Sequence, residues 1–199
     1  MIAIIDYAIN NLRSVEKAFQ SLGVDVLATN APEEIRKADK MVLPGVGAFA
    51  DAMSNLKAKN LDGVIREKVE AGTPLLGLCL GLQLLFSESE EFGKHSGLNF
   101  IPGNVVRIPA GLKVPHIGWN QLHIKRPDPL LRGIEEGSFV YFVHSYYADP
   151  QNQDDVLATS DYGIEFPAIT NRKNVWATQF HPEKSQQVGL QILKNFAEM

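Results

Sequence analysis

The stretch Pro74-Leu-Leu-Gly-Leu-Cys-Leu-Gly-Leu-Gln-Leu-Leu-Phe86 decides how the rest of the chain reads. Its first half, Pro74 to Leu78, is an apolar run of strand length, and its second, from about Leu80 to Phe86, suits a buried helix. A strand that passes straight into a helix belongs to a parallel sheet covered by helices. Between the halves lies Gly77-Leu78-Cys79-Leu80-Gly81, a G-x-C-x-G motif that is the thiol counterpart of the nucleophile elbow. The glycines have a steric purpose. So sharp a turn strains the backbone of Cys79 and brings neighbouring chain close, so side chains beside it are kept to a minimum. A lone cysteine in an apolar run is by default a small core residue. The flanking glycines make Cys79 a candidate nucleophile.

Working outward, the first part of the chain alternates short β-rich runs with helical periodicity. Ile2 to Asp6 reads as a strand, and Asn11 to Leu22 as a helix closed by Gly23 in the C′ position. Val24 to Ala28 is a second strand, Pro32 to Ala38 a short helix, and Met41 to Leu43 a third strand ending in Pro44-Gly45-Val46-Gly47. A helical region follows from about Phe49 to Glu70, with a break near Asn60-Leu61-Asp62-Gly63. Beyond Phe86 the pattern changes to strands at about Val105 to Ile108, Trp119 to Ile124, Phe139 to Ala148, Val156 to Ser160, Ala168 to Asn171 and Val175 to Gln179. Short Gly, Pro and Asp turns between them imply antiparallel hairpins beside the parallel core. An amphipathic helix from about Ser185 to Ala197 closes the chain. The expected fold is α/β, a central mostly parallel sheet flanked by helices with an antiparallel extension, over residues 1–199 as one domain.

Composition narrows the functional classes. With 45% hydrophobic and 21% charged residues the chain is of globular type, and a net charge of -4 without a basic stripe argues against a nucleic-acid partner. The longest apolar stretch, Leu75 to Phe86, is interrupted by Gly77, Gly81 and Gln83, so no membrane span is expected. Met1 leads directly into Ile2-Ala3-Ile4-Ile5 without a basic leader region, and the single cysteine has no disulfide partner within the chain. Both features suit a cytoplasmic protein. The five histidines are scattered and no second cysteine exists, so neither a metal nor another cofactor is expected.

A thiol nucleophile needs a base and something to orient that base. His181-Pro182-Glu183 supplies both. In an extended segment residues i and i+2 point to the same side, and Pro182 disfavours the helical region for His181. Imidazole and carboxylate are then on one face, where the carboxylate would fix the ring tautomer and stabilise the imidazolium. Pro44-Gly45-Val46-Gly47 is the third element. Its glycines let backbone amides turn toward a ligand at the carboxyl edge of the sheet, and one of them, with the amide of Leu80, could form an oxyanion hole.

These three motifs, in this order, resemble those of class I glutamine amidotransferases, and the resemblance covers nearly the whole chain. Within that class, P-G-V-G-A-F at Pro44 to Phe49, P-H-I-G-W-N at Pro115 to Asn120 and H-P-E-K-S at His181 to Ser185 look like the imidazole glycerol phosphate synthase branch. The resemblance implies that Cys79 attacks the glutamine carboxamide, His181 shuttles the proton and Glu183 orients His181. It implies that Val46, Gly47 and Leu80 line the oxyanion hole, that Gln83, Ser145 and Tyr146 hold glutamine, and that Glu91 meets the substrate ammonium. It further implies a heterodimer with a (β/α)8-barrel cyclase that receives the ammonia, with Asn11, Trp119, Tyr141 and Lys184 at the interface. An amidotransferase serving a different synthase is the main rival reading, against which the Gly-Trp-Asn motif and Lys184 argue; a non-catalytic binding partner is another, against which Cys79, His181 and Glu183 together argue, and a Cys-elbow hydrolase acting on peptides a third. The branch pattern D-Y-G-x-G-N-L-x-S-V is departed from in one place, where Ala8 and Asn10 stand for two glycines. If those positions take positive φ, Asn tolerates it better than Ala.

Overall fold

The chain alternates strand and helix as β1 (Ile2–Ile5), α1 (Leu12–Ser21), β2 (Val26–Thr29), α2 (Pro32–Lys37), β3 (Lys40–Leu43), α3 (Phe49–Ala58), α4 (Leu61–Glu70), β4 (Leu75–Leu78) and α5 (Leu80–Leu84). This is a computed structural model, and it describes residues 1–8 and 11–199. The four strands pair in parallel in the order β2-β1-β3-β4. Apolar residues alternate between two covered faces. In β4, Leu75 packs with Phe49, Leu56 and Ile65 on one side of the sheet. Leu76 and Leu78 pack with Val15, Phe19 and Phe196 on the other. Each such leucine contributes about 1.5–3 kcal/mol relative to an exposed one, which is what holds the sheet between its helices.

After α5 come β5 (Phe86–Ser89), β6 (His95–Ser96), β7 (Ile101–Arg107), β8 (His116–Gln121), β9 (His123–Ile124), β10 (Phe139–His144), β11 (Tyr146–Pro150), β12 (Val156–Asp161), β13 (Glu165–Arg172), β14 (Val175–Thr178) and α6 (Gln186–Glu198). β14 adds to β4 in parallel, and β13, β12 and β9 continue the same sheet antiparallel to a total of eight strands. The antiparallel extension is thus partly in the central sheet. The remainder forms a four-stranded sheet, β11-β7-β5-β6, and a ribbon of β8 with β10. No helix among the described residues is long and apolar enough to cross a membrane.

Three expectations need correction. The single strand expected over Trp119 to Ile124 divides at Leu122, with β8 pairing with β10 in the ribbon and β9 pairing with β12 at the edge of the central sheet, because the Leu122 amide and carbonyl turn to Ser138 and Gly137. The helix expected to reach Phe86 stops at Leu84, because the amides of Leu98, Phe100 and Ile101 capture the carbonyls of Leu84 and Leu85 and turn Phe86 into a strand. The single strand expected over Phe139 to Ala148 divides at Ser145. Upstream of it β10 pairs with β8, downstream β11 pairs with β7, and the Ser145 carbonyl accepts from Ile108 N–H at the switch. The break between the two central helices falls where expected, at Asn60 with φ 54°.

Ala8 lies at φ 70°. A β-carbon in that region costs roughly 1–2 kcal/mol, which glycine avoids at a smaller entropic cost. Ala8→Gly should therefore raise stability by about 0.5–1 kcal/mol, read as a higher thermal midpoint; an unchanged or lower midpoint would show that the strain is relieved elsewhere. Asn10, the other departure, is outside the described residues.

Candidate active site

Parallel strands with the same polarity bring the loops at their carboxyl ends to one edge of the sheet. Here β3, β4 and β14 are neighbours, and the residues that follow them are Pro44 to Gly47, Cys79 and His181 respectively. The three motifs read from the sequence therefore meet. Cys79 has φ 53° and ψ -107°, the strained corner expected of an elbow. Its amide donates to Thr178 O at 2.8 Å, which ties the elbow to β14. Gly81 packs so close to β3 that a β-carbon on it would overlap the Leu43 carbonyl.

His181 Nδ1 donates to Glu183 Oε1 at 2.7 Å, with both side chains sealed from solvent at 2% and 0% exposure. The two meet, though not by strand alternation. Residues Pro182–Lys184 form a 3-10 turn, begun by the fixed φ of Pro182, that folds the carboxylate back under the ring. Asn11 also donates its side-chain amide to Glu183 Oε1. His181 Nε2 and Glu183 Oε2 are buried without a hydrogen-bond partner among the described residues. That leaves the Nε2 edge of the ring to serve Cys79. Burial works against charge on His181, but Cys79 and then Glu183 outweigh it and raise the imidazolium to about 10. Burial likewise opposes charge on Glu183, and the bond from His181 overcomes it, so its carboxyl lies below the ordinary value. Glu183→Gln removes a group that raises the His181 pKa and leaves the burial that lowers it, so the midpoint of the His181 ring signals in an NMR pH titration should fall. An unmoved midpoint would mean that Glu183 has no hold on the ring.

A cavity of about 230 Å³ opens onto Cys79 and His181, lined by Val46, Gly47, Cys79, Leu80, Gln83, Val143, His144 and His181. Five of the candidate residues besides Cys79 are therefore in one wall. Its would-be oxyanion donors are not all free, since Leu80 N–H is turned toward Gly45 O at 3.4 Å. Behind the loop, the buried Tyr7 hydroxyl donates to Pro44 O at 2.6 Å and fixes its base. Gln83 Nε2 donates to Tyr146 O at 2.9 Å. Ser145 and Tyr146 are not among the lining residues and lie at the strand switch. Glu91 caps α3, its carboxylate accepting from Phe49 N–H at 2.6 Å. His144 and Val143 went unnoticed in the sequence; the alternation Val140, Phe142, His144 on the buried face of β10 was the available signal for His144, and Val143, on the other face, had none.

The four candidate interface residues surround the same edge. Trp119 is 45% exposed and meets Tyr141 edge to face at 5.9 Å between ring centroids. With Ile117 and Phe139 they form an apolar outer face on the β8–β10 ribbon. Lys184 is exposed, one residue past Glu183, and Asn11 touches the Glu183 carboxylate directly.

A buried thiol, imidazole and carboxylate at the carboxyl edge of such a sheet is the equipment of covalent acyl transfer. The family model for class-I glutamine amidotransferases matches residues 3–199. The chain belongs to that family and is a glutamine-hydrolysing enzyme. A solved glutamine amidotransferase has the same fold, with a TM-score of 0.79 at 19% identity over 100% of both chains. Among the relatives, the imidazole glycerol phosphate synthase subunit HisH of Syntrophotalea carbinolica is 57% identical over 100% of both chains. That of Moorella thermoacetica is 56% identical over 100% of this chain and 94% of its own length. Within its class, the chain belongs with these HisH subunits.

Proposed function

We propose that Cys79, His181 and Glu183 perform glutamine hydrolysis in this glutaminase subunit of imidazole glycerol phosphate synthase, and that a (β/α)8-barrel cyclase receives the ammonia. The observation that carries the reading is Cys79 and His181 opening on one cavity with Val46 and Gly47, while the buried Glu183 bonds His181 from behind. The Cys79 sulfur attacks the carboxamide carbon, and His181 passes the thiol proton to the departing nitrogen. Ammonia leaves and a γ-glutamyl thioester remains. His181 then takes a proton from water, which attacks the thioester; the C–S bond breaks, glutamate leaves and the proton returns to the Cys79 sulfur. Glu183, held by Asn11, keeps the ring turned toward the sulfur. Gln83, Ser145, Tyr146 and Glu91 are the proposed contacts to glutamine, the last three through small adjustments from their present positions.

The amides of Leu80 and of the Val46–Gly47 segment are the proposed oxyanion donors. With Leu80 N–H turned to Gly45 O, the loop must yield before both can serve. The isolated subunit should accordingly be a poor glutaminase, activated when the cyclase and its ligand shift the loop. Ammonia loose in water would be protonated, so direct transfer across an interface formed by Asn11, Trp119, Tyr141 and Lys184 suits the chemistry. The place of the pair would be histidine biosynthesis in the cytoplasm, as a heterodimer, the products being imidazole glycerol phosphate and an aminoimidazole carboxamide ribotide. Lys184 lies one residue beyond Glu183 and is exposed, so it is suited to report docking to the triad. Glutamate release by the subunit alone, and with cyclase and its ribonucleotide substrate, should differ widely for the native protein and much less for Lys184→Ala. Full activity of the isolated subunit, or undiminished stimulation of the variant, would refute that role.

A further inference from the structure

Two buried histidines beside the cavity have no part in the reaction just described. His116, on β8, and His144, on β10, are cross-strand partners in the ribbon and are 3% and 5% exposed. We propose that they form a positioning pair whose directed hydrogen bonds hold the Tyr146 carbonyl, and through it Gln83, in the arrangement that receives glutamine.

The direction of the bonds follows from the one partner that can only accept. His144 Nδ1 lies 2.9 Å from Tyr146 O, so Nδ1 carries the proton and Nε2 a lone pair. That lone pair faces His116 Nδ1 at 3.0 Å, which must then donate. Each bond fixes the tautomer of the ring before it. Tyr146 O also accepts from Gln83 Nε2 at 2.9 Å, and Gln83 lines the cavity one helical turn beyond Cys79. The rings are not free to turn away. His116 stacks on Tyr162 with centroids 3.9 Å apart and on Phe142 at 5.1 Å, while Phe166 packs against His144 at 5.0 Å. The chain works only while His144 is neutral, since a proton on His144 Nε2 would face the His116 donor. Burial outweighs the opposing bond to Tyr146 O and, with smaller contributions from His116 and His181, pushes His144 down to about 3, and burial also lowers His116.

The inference rests on the glutaminase reading of the cavity and assigns a task within it. Its test uses the complex with cyclase and saturating ribonucleotide substrate, with glutamine varied and glutamate measured. His116→Leu removes the donor and should raise the glutamine KM about tenfold while kcat stays within about threefold, since lost ground-state positioning appears in KM. His116→Asn places an amide N–H near the position of Nδ1 and should restore KM to near the native value. A merely packed histidine would be served better by Leu than by Asn. His144→Asn keeps the donation to Tyr146 O and His144→Gln forfeits it, so Asn should be the less impaired of the two, and this comparison stands if His116→Leu fails to fold. A native KM in His116→Leu, equal impairment in the His116 variants, or Gln outperforming Asn at His144 overturns the pair. A native complex that releases no glutamate would instead count against the glutaminase reading.

Discussion

Cys79→Ala should abolish glutamine hydrolysis, with a loss of at least about 10⁴-fold in glutamate release, while leaving the fold intact. The elbow is held by its backbone, through Cys79 N–H to Thr178 O and the close packing of Gly81 on β3, and not by the sulfur. Among the described residues the thiol's contacts to Val143 O and from Gln179 Nε2 are long, at 3.8 Å and 4.0 Å, so its removal costs the backbone nothing and is felt chiefly by the His181 ring. Synthesis by the cyclase from added ammonia should persist, because no thiol is needed once ammonia is supplied. Glutamine-dependent turnover surviving in the alanine variant, with the fold confirmed by circular dichroism, would remove Cys79 from the reaction.

Gly81→Ala should produce the largest loss of stability of any single methyl addition at the site. The new carbon would overlap the Leu43 carbonyl oxygen and stand 2.9 Å from its carbon, and both are backbone of a strand buried in the central sheet. No side-chain rotation can relieve such a contact. Either β3 moves away from β4 or the turn opens, at a cost of about 3 kcal/mol or more, and in either case the cavity loses its shape. Urea denaturation should show the midpoint fall steeply. By contrast Gly47 has open space for a β-carbon and is demanding only through its φ of 104°, so Gly47→Ala should cost much less. Similar midpoints for the two variants would mean that the close approach of Gly81 is not what shapes the elbow.

The parts of the fold visible in the sequence were those in which local pattern and tertiary environment agree. The strands of the parallel core read as apolar runs because both their faces are covered, and Gly77 and Gly81 could be read because the elbow excludes a β-carbon. The small sheet could not be read. β5 and β6 alternate poorly, and Phe86 leaves the helix only because Leu98, Phe100 and Ile101, distant in sequence, take the carbonyls at its end. Ser145 was legible as a residue of interest but not as a switch between two sheets, since β10 and β11 form one unbroken β-rich run. His181 and Glu183 were found for a partly mistaken reason: a 3-10 turn rather than an extended strand brings them together. The capping of α3 by Glu91 and the hold of Asn11 on Glu183 depend on contacts between distant segments and had no local signature.

Ammonia is released in this account by acyl transfer to one sulfur, that of Cys79. The most direct test is to quench the complex with acid during turnover of glutamine, digest it and examine the peptide containing Cys79 by mass spectrometry. A fraction of that peptide should carry a glutamyl group, lost on treatment with hydroxylamine as a thioester is, and absent from Cys79→Ser processed in parallel as the same labile adduct. Glutamate accumulating at the native rate under conditions shown to preserve a model thioester, with Cys79 never modified, would contradict it.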